Sequence, residues 1–360
     1  MVNEPLPAEP PPAEPLPDWP MFGVAEDVRP ALRQAQVAGE ALVLATLVAV
    51  DGGGPRPEGT QMVFAPGVLA GYFSGGCVEG DVAGHAMACL ADARPRTLVY
   101  GDGSPWPDIR LLCGARIEIF LERVPADDAA LAELLTAETE RRPVVYVSDG
   151  TVRVCGPHPS PWPEAAVIRR YDPRPRLVIV GGDPTALAIA ELGVKSGFET
   201  TLVRPKGPQT PPPIPGLAYR REEPAQALAA IGLDAWTSVA VATHDLETDR
   251  AALRAALPSQ AAYVGLLGAR RRLAGRLAEL QVEGMSQAVL ARLHAPIGLD
   301  IGGKAPFEVA VSVIGEITAL RYARASGSTS TMSPASAAGA AASRTSRASE
   351  AAKTLTSEES

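Results

Sequence analysis

The pattern of apolar and polar residues divides the chain into two folded segments. In the first, the run ALVLATLVAV (41–50) is apolar throughout and predicts a strand buried on both faces. The run RIEIFLERV (116–124) alternates, which places its two isoleucines on one face of another strand. VVYVSDGTVRV (144–154) has an Asp-Gly pair between two alternating runs and predicts a β-hairpin. With helices predicted over 27–39 and 127–140, this segment is a mixed α/β domain.

The second segment has the pattern of a doubly wound parallel sheet. Residues 176–205 give a strand, a glycine turn, a helix and a second strand, which is one βαβ unit. The runs SVAVATHD (238–245) and AAYVGLLG (261–268) are later strands, each leading into a helix. Residues 306–325 form a closing helix that Pro306 can begin. We therefore expect a Rossmann-like C-terminal domain with a mostly parallel sheet.

Both ends of the chain differ in composition from the two folded segments. The N-terminal end is rich in proline, and the C-terminal end is rich in serine, alanine and threonine. Such segments bury too little apolar surface to offset the loss of conformational entropy, so we expect both tails to be disordered and dispensable for folding. The predicted division is 1–20 proline-rich tail, 21–125 N-terminal domain, 126–173 connecting helix and hairpin, 174–324 Rossmann-like domain and 325–360 tail.

Composition and charge exclude several classes of protein. The formal net charge is −8 and no Lys/Arg-rich run occurs, which argues against binding to nucleic acid. No apolar run approaches the length of a membrane span, and the acidic, proline-rich start does not resemble a signal peptide. The four cysteines form no CxxC pair, which argues against a disulfide framework or a structural zinc site. We expect a cytoplasmic protein with reduced thiols.

The stretch GYFSGGCVEGD (71–81) is the first candidate site. Gly75 and Gly76 precede Cys77, and the residues that follow predict a helix. Glycines let backbone N–H groups approach a ligand, and a helix N-terminus favours both a bound anion and the thiolate form of cysteine. The alternative is a tight turn that merely tolerates a cysteine there.

The glycine turn of the second segment is a candidate nucleotide site with unfavourable details. Gly181 fills the first position of the dinucleotide-binding pattern, but Asp183 occupies the position of its second glycine. Arg204 stands where an acidic residue usually binds the ribose. These two residues disfavour NAD, although Arg204 would suit the 2′-phosphate of NADP.

Other candidate residues lie where a strand or a loop runs into a helix, positions that suit ligands. They are His244, Asp245, Gly268, Arg270 to Arg272, Gly298, Gly302 and Gly303. Helix capping and arginines that face solvent explain the same residues without a ligand. On helical spacing, Asp81, His85 and Cys89 share one stripe, which is either a metal site or part of a half-buried interface.

Taken together, these motifs resemble one family, the xanthine dehydrogenase accessory proteins of the XdhC/CoxI type. DGGGPRPEGTQM, SGGCVEGD and the cysteine-glycine of LLCGARIEIFLE are similar to its N-terminal domain. VIVGGDPTALAIAELG, VATHDLETDRAALRAAL, YVGLLGARRR and LHAPIGLDIGGKAPFEVAVSVIGEI are similar to its C-terminal Rossmann domain. The resemblance covers roughly residues 30 to 323 in the family's order, and the last block is the most specific.

The resemblance implies a chaperone that binds molybdenum cofactor (molybdopterin). It would support sulfuration of the cofactor with a cysteine desulfurase and insertion into a molybdenum hydroxylase such as xanthine or carbon monoxide dehydrogenase. It also implies a homodimer and assigns no catalytic residue. Cys77, as a soft thiolate, is the candidate molybdenum ligand. The implied cofactor-binding residues are Arg56, Gly75, Gly76, Cys77, Glu79, Cys113, Gly181, Gly182, His244, Gly268, Arg270, Gly298, Asp300 and Gly302.

The sequence also departs from the family pattern. Leu112 and Ala115 replace glycines around Cys113, which weakens a backbone phosphate site there. Ala305 replaces a threonine before the last helix, removing an N-cap worth about 1 kcal/mol. Two other functions therefore stay open: an NAD(P)-dependent oxidoreductase that uses the C-terminal domain, and a scaffold paralogue that has lost its ligand.

Overall fold

The computed structural model describes residues 16–54, 56–102, 104, 111, 114–159, 166–268 and 270–325. These residues form three β-sheets, two of them antiparallel in the N-terminal half and one parallel in the C-terminal half. The predicted class, a mixed α/β domain followed by a Rossmann-like domain, is confirmed. Within the described ranges, no helix combines the length and the hydrophobicity that a membrane span requires.

The N-terminal half is built on a five-stranded antiparallel sheet. In chain order its elements are a short 3-10 helix (Met21–Gly23), α1 (Arg29–Val37), β1 (Leu42–Asp51), β2 (Gln61–Ala65), β3 (Val68–Ala70), α2 (Glu79–Asp92), β4 (Arg96–Tyr100) and β5 (Arg116–Val124). The strands lie side by side in the order β3-β2-β1-β5-β4. The long strand β1 is therefore central, and helices cover both faces of the sheet.

Strand β1 is buried on both faces, as its apolar run predicts. Leu42 and Leu44 pack in one cluster with Leu32 of α1. Val43 belongs to the opposite cluster, which contains Val82 of α2. The two isoleucines of β5 also belong to that second cluster, which confirms that they share one face.

A smaller antiparallel sheet follows, with α3 packed against it. Its elements are α3 (Ala129–Thr139), β6 (Val144–Ser148), β7 (Arg153–Gly156) and β8 (Val167–Tyr171), in the strand order β7-β6-β8. The predicted hairpin is β6–β7. Its turn is closed by the Asp149 carboxylate, which accepts hydrogen bonds from the N–H groups of Thr151 and Val152, both at 2.7 Å. Gly150 has a φ of +92°, a conformation that favours glycine.

One buried ion pair joins the two antiparallel sheets. Glu122 of β5 is fully buried, and its Oε2 lies 2.6 Å from Nε of Arg153 on β7. Tyr146 and Ser148 of β6 donate hydrogen bonds from their hydroxyls to the same carboxylate. This ion pair adds a charged contact between two sheets that also share a hydrophobic core, which contains Leu44 of β1 and Tyr146 of β6.

The C-terminal half contains a six-stranded parallel sheet. Its elements are β9 (Arg176–Gly181), α4 (Pro184–Lys195), β10 (Glu199–Val203), β11 (Ala218–Arg220), α5 (Pro224–Ile231), β12 (Thr237–Ala242), α6 (Leu246–Ala256), β13 (Tyr263–Leu266), α7 (Arg270–Val282), α8 (Gln287–Leu290), β14 (Leu293–His294) and α9 (Pro306–Ala325). The strand order is β11-β10-β9-β12-β13-β14. Because the chain leaves β9 to one side and later returns to its other side at β12, the carboxyl ends of these two strands form the topological switch point.

Arg141, just after α3, connects the two halves. Its guanidinium lies 2.7 Å from the carboxylate of Asp234 and 2.8 Å from that of Glu199, both in the C-terminal half. It also donates to the backbone carbonyl of Arg174 at 3.0 Å. Only 15% of the Arg141 side chain is exposed, so water screens these pairs incompletely.

The substitution Arg153→Met should lower the free energy of unfolding by about 3–5 kcal/mol, because it leaves the buried carboxylate of Glu122 without its cation. Urea unfolding at pH 7 measures this loss. The matched control is Arg142→Met, since Arg142 is 41% exposed and pairs with partly exposed carboxylates. We expect the control to lose less than about 1 kcal/mol. Equal losses in both variants would contradict a special role for the buried pair.

Candidate functional site

The glycine-cysteine turn lies between β3 and α2. Gly75 and Gly76 have φ values of +84° and +116°, and a Cβ built on either one would meet no atom within 4 Å. These positions therefore favour glycine because of their backbone conformation, and not because a larger side chain would clash with its surroundings. Cys77 lies two residues before α2 begins, at a helix N-terminus as predicted.

The N–H groups of this turn are already bound by a carboxylate of the same chain. Glu79, the first residue of α2, is 1% exposed. Its two oxygens accept hydrogen bonds from the backbone N–H groups of Phe73 (2.9 Å), Ser74 (2.6 Å), Gly75 (3.2 Å), Gly76 (2.9 Å) and Val78 (3.2 Å), and from the Ser74 hydroxyl (2.8 Å). The turn is an anion site, as the sequence indicates, but the anion that fills it is Glu79.

These hydrogen bonds determine the protonation of Glu79. Burial alone would raise the pKa of this carboxyl, but the hydrogen bonds from Ser74 and Phe73 outweigh burial, and the pKa is lowered. Glu79 therefore remains ionised in the folded protein at neutral pH. Its oxygens face the backbone, so a ligand of this turn would have to use other groups.

Cys77 differs from the other described cysteines in being exposed. Its backbone N–H donates to the Ser74 hydroxyl at 3.0 Å, which fixes the main chain beneath the thiol. Cys89 is buried, and its Sγ lies 3.2 Å from the carbonyl oxygen of Arg94. Burial raises the pKa of Cys155 to about 12, which keeps that thiol protonated. The predicted site residue Cys113 lies outside the described residues.

A cavity of about 620 Å³ opens beside the turn. The Arg56 guanidinium lies 4.9 Å from the centre of the Tyr72 ring, and its Nη2 lies 3.1 Å from Glu26 Oε1. The cavity is lined by Leu16, Pro17, Asp18, Pro20, Phe22, Gly23, Val24, Glu26, Arg56, Tyr72, Gly75, Gly76 and Glu79. The structure thus brings together four of the predicted site residues: Arg56, Gly75, Gly76 and Glu79.

The segment 16–26 is the part of this cavity that sequence reasoning missed. Proline content predicted a tail up to residue 20, yet Leu16 packs together with Phe22 against the core that includes α2. The carbonyl oxygen of Phe22 accepts a hydrogen bond from the N–H of Gly71 at 2.8 Å. The apolar residues of LPDWPMFGV, which interrupt the proline pattern, were the signal available in the sequence. The rest of the predicted N-terminal tail, residues 1–15, lies outside the described residues.

The stripe of Asp81, His85 and Cys89 does not form the metal site considered from the sequence. The Tyr100 hydroxyl donates to Asp81 Oδ2 at 2.6 Å, while Cys89 contacts a backbone carbonyl. Among the described residues, no group of three or more His, Cys, Asp or Glu side chains is arranged to hold a metal ion. The half-buried interface is the interpretation that the contacts support.

At the switch point of the parallel sheet, three predicted residues come together. Asp183 follows Gly181 and Gly182, and its Oδ1 accepts a hydrogen bond from the N–H of Ala186 at 2.8 Å, which caps α4. Its Oδ2 lies 3.1 Å from Nε2 of His244, which follows β12. The Arg204 side chain covers the glycine turn, since a Cβ added to Gly182 would lie 2.4 Å from its Cδ. The position where a dinucleotide would place its pyrophosphate is bordered by a carboxylate and covered by Arg204.

The loop before α9, which includes the predicted residues Asp300 and Gly302, is held by two glutamates. Glu316 accepts hydrogen bonds from the N–H of Gly298 (2.8 Å) and from the Tyr263 hydroxyl, and it meets Nδ1 of His294 at 3.1 Å. Burial would raise the pKa of Glu316, but the hydrogen bonds from His294 and Tyr263 lower it.

The second glutamate of this loop holds the backbone just before α9. Glu308 Oε2 accepts hydrogen bonds from the N–H groups of Lys304 (2.8 Å) and Ala305 (2.9 Å) at the start of α9. Ala305 has no hydroxyl that could cap the first turn, and Glu308 instead fixes the backbone of the two residues that precede the helix. Gly268 follows β13 and Arg270 begins α7, separately from the cavity beside Cys77.

The substitution Glu79→Gln should lower the free energy of unfolding at pH 7 by about 2–3 kcal/mol, because an amide cannot satisfy the buried N–H groups that the carboxylate binds. The folded-state pKa of Glu79 lies below its unfolded value, so its contribution is complete above the unfolded pKa and is lost as pH falls through the folded pKa. Urea unfolding should therefore show a difference between the two proteins that shrinks below about pH 4. The exposed Glu40→Gln variant is the control and should match the parent protein at each pH. A Glu79→Gln deficit that is independent of pH would contradict this account.

Comparisons with known proteins agree with the fold and identify the family. Residues 35–101 match the model of the XdhC and CoxI family, and residues 177–317 match that of the XdhC Rossmann domain. The molybdenum cofactor insertion chaperone PaoD of Escherichia coli is 32% identical, over 83% of this chain and 90% of its own. A Bacillus subtilis protein named as a probable component of xanthine dehydrogenase is 26% identical, over 78% and 94%. A crystal structure of a Bacillus halodurans protein described as a xanthine dehydrogenase has the same fold, with a TM-score of 0.66, 23% identity and coverage of 85% and 98%. The chain belongs to the XdhC and CoxI family.

Proposed function

We propose that this protein is a chaperone that binds molybdenum cofactor beside Cys77 and supports its insertion into a molybdenum hydroxylase, such as xanthine or carbon monoxide dehydrogenase. The observation that carries the proposal is the exposed thiol of Cys77, which directly follows two glycines that line the 620 Å³ cavity. The name of the E. coli relative, a molybdenum cofactor insertion chaperone, supports the same class of function.

The residues around the cavity fit such a ligand. Its volume is within the range of about 300–1,000 Å³ that is common for small-molecule sites. Arg56 supplies a guanidinium that can pair with a phosphate, and Tyr72 supplies an aromatic face. The cofactor binds its metal through the sulfur atoms of a dithiolene, so a cysteine thiolate is a suitable further ligand. Cys77 would hold the metal end, while Glu79 keeps the turn in the shape that presents the thiol.

The partners and location remain part of the proposal. We infer cooperation with a cysteine desulfurase, because a sulfurated cofactor needs a sulfur donor. A homodimer is supported by exposed apolar residues at the start of α9 and before it: Leu299, Ile301, Phe307 and Val311. A cytoplasmic location is supported by the three described cysteines, which are all unpaired.

Protein made in a cofactor-producing host should release a fluorescent oxidised pterin on acid treatment. The pterin content of the Cys77→Ser variant should be lower than that of the parent protein by a factor of roughly ten or more, because the variant lacks the proposed metal ligand. Fluorescence per mole of protein measures the difference.

Cys155→Ser is the matched control for the cofactor test, because this thiol lies on β7 and burial raises its pKa to about 12. It should retain the pterin of the parent protein. Equal retention in both variants would return Cys77 to the role of a tolerated turn residue. If no preparation of the parent protein carries pterin and none can be loaded in vitro, the chaperone proposal is wrong.

Calorimetry should show that NAD binds weakly or not at all. The Asp183 carboxylate borders the turn, and at an effective dielectric constant of about 20 two unit charges of the same sign 4 Å apart repel by roughly 4 kcal/mol. Arg204 also covers Gly182. A submicromolar dissociation constant for NAD would contradict this expectation. Selective binding of NADP would instead favour an oxidoreductase that uses Arg204 to bind the 2′-phosphate.

A further inference from the structure

We propose that Arg56 is the phosphate subsite of the cavity beside Cys77, and that the carboxylate of Glu26 occupies this subsite until an anionic ligand displaces it. The inference rests on the proposed function for its ligand class, a phosphate monoester that also carries a flat aromatic ring system. It assigns the phosphate to a side chain and not to the glycine turn.

The glycine turn is excluded as the phosphate site because its donors are bound. Five backbone N–H groups and one hydroxyl around Gly75 and Gly76 donate to Glu79. A phosphate that entered there would have to displace a carboxylate that is 1% exposed and whose pKa is lowered by those bonds. The ligand's phosphate therefore needs another donor within the same cavity.

Arg56 is the one cationic side chain among the described residues that line the cavity. Its side chain is 19% exposed, and its Nε is buried with no hydrogen-bond acceptor among the described residues. A buried donor without a partner is unfavourable, and a guanidinium is shaped to bind a phosphate through two parallel hydrogen bonds. The guanidinium thus has capacity to bind an anion that its pairing with Glu26 does not use.

Tyr72 supports both members of the pair. The Arg56 guanidinium lies 4.9 Å from the centre of its ring. The segment that carries Glu26 is pressed against the same ring, since a Cβ added to Gly23 would lie 2.9 Å from Tyr72 Cδ1. One aromatic ring therefore fixes the position of the cation and the approach of the carboxylate.

The pairing of Glu26 with Arg56 is suited to replacement. Glu26 is 62% exposed, and its Oε1 lies 3.1 Å from Nη2 of Arg56, which is its one ion pair within the described part of the chain. Ion pairs with so exposed a partner contribute little, whereas a phosphate brings more negative charge and a second acceptor oxygen. Glu26 would keep the cavity open and its cation partly neutralised in the absence of ligand.

Calorimetric titration of the full chain with phenyl phosphate tests this assignment, because the probe combines an aromatic ring with a phosphate monoester. Glu26→Gln should bind the probe about two- to fivefold more tightly, as the competing charge is removed. Arg56→Lys should bind it at least roughly tenfold more weakly, because lysine keeps the charge but loses the two-pronged geometry. Glu40→Gln and Arg254→Lys, at exposed positions away from the cavity, are the charge-matched controls and should behave as the parent protein.

The outcomes separate this inference from the proposed function. Unchanged phenyl phosphate binding and unchanged pterin content in Arg56→Lys would overturn the subsite, while pterin in the parent protein would still support the chaperone. If Glu26→Gln does not bind phenyl phosphate more tightly than the parent protein, Glu26 does not compete with the ligand for Arg56. Pterin absent from the parent protein, with the predicted pattern for phenyl phosphate intact, would support the subsite and reject the chaperone.

Discussion

The candidate site depends on one interaction, the binding of the Glu79 carboxylate by the backbone of the turn that precedes it. Glycines at 75 and 76 adopt conformations that bring successive N–H groups towards one point, and such a concave array of donors needs an anion. Supplying that anion from the first residue of α2 ties the turn to the helix. Hydrogen bonds from the N–H groups of Gly76, Cys77 and Val78 then fix the main chain at the cysteine, whose side chain stays exposed.

The same solution recurs at other helix starts in the molecule. Asp183 caps α4 and Asp245 caps α6, while Glu308 binds the two N–H groups just before α9. Helix N-termini attract anions, and at these helix starts acidic side chains of the same chain supply them. Among the described residues that line the cavity, Arg56 keeps unused hydrogen-bonding capacity, since its buried Nε has no acceptor there.

The features that the sequence predicts are those that depend on residues close together along the chain. Burial of β1 on both faces, the turn after β6 and the βαβ unit at Gly181 were predictable, because periodicity and turn chemistry are local properties. The binding of Glu79 by the turn was not predictable. A glycine turn whose N–H groups bind a ligand and one whose N–H groups bind a side chain of the same protein have the same sequence pattern. Proline content suggested a tail up to residue 20, and only contacts between residues distant in sequence, such as the packing of Leu16 against the core that includes α2, show that its last residues border the cavity.

The C-terminal sheet keeps the architecture of a nucleotide-binding domain while its switch point has a different chemistry. Asp183 pairs with His244 across the carboxyl ends of β9 and β12, and Arg204 occupies the space above Gly182. This edge of the sheet therefore presents a carboxylate, an imidazole and a guanidinium. A dinucleotide site would present uncovered backbone N–H groups at the same place. Because 80% of the His244 side chain is exposed, this edge is accessible although its glycine turn is covered. The sheet retains the fold of the family, and the cavity that we propose for the ligand lies instead in the N-terminal half, where it is lined by Arg56 and by the two glycines that precede the exposed Cys77.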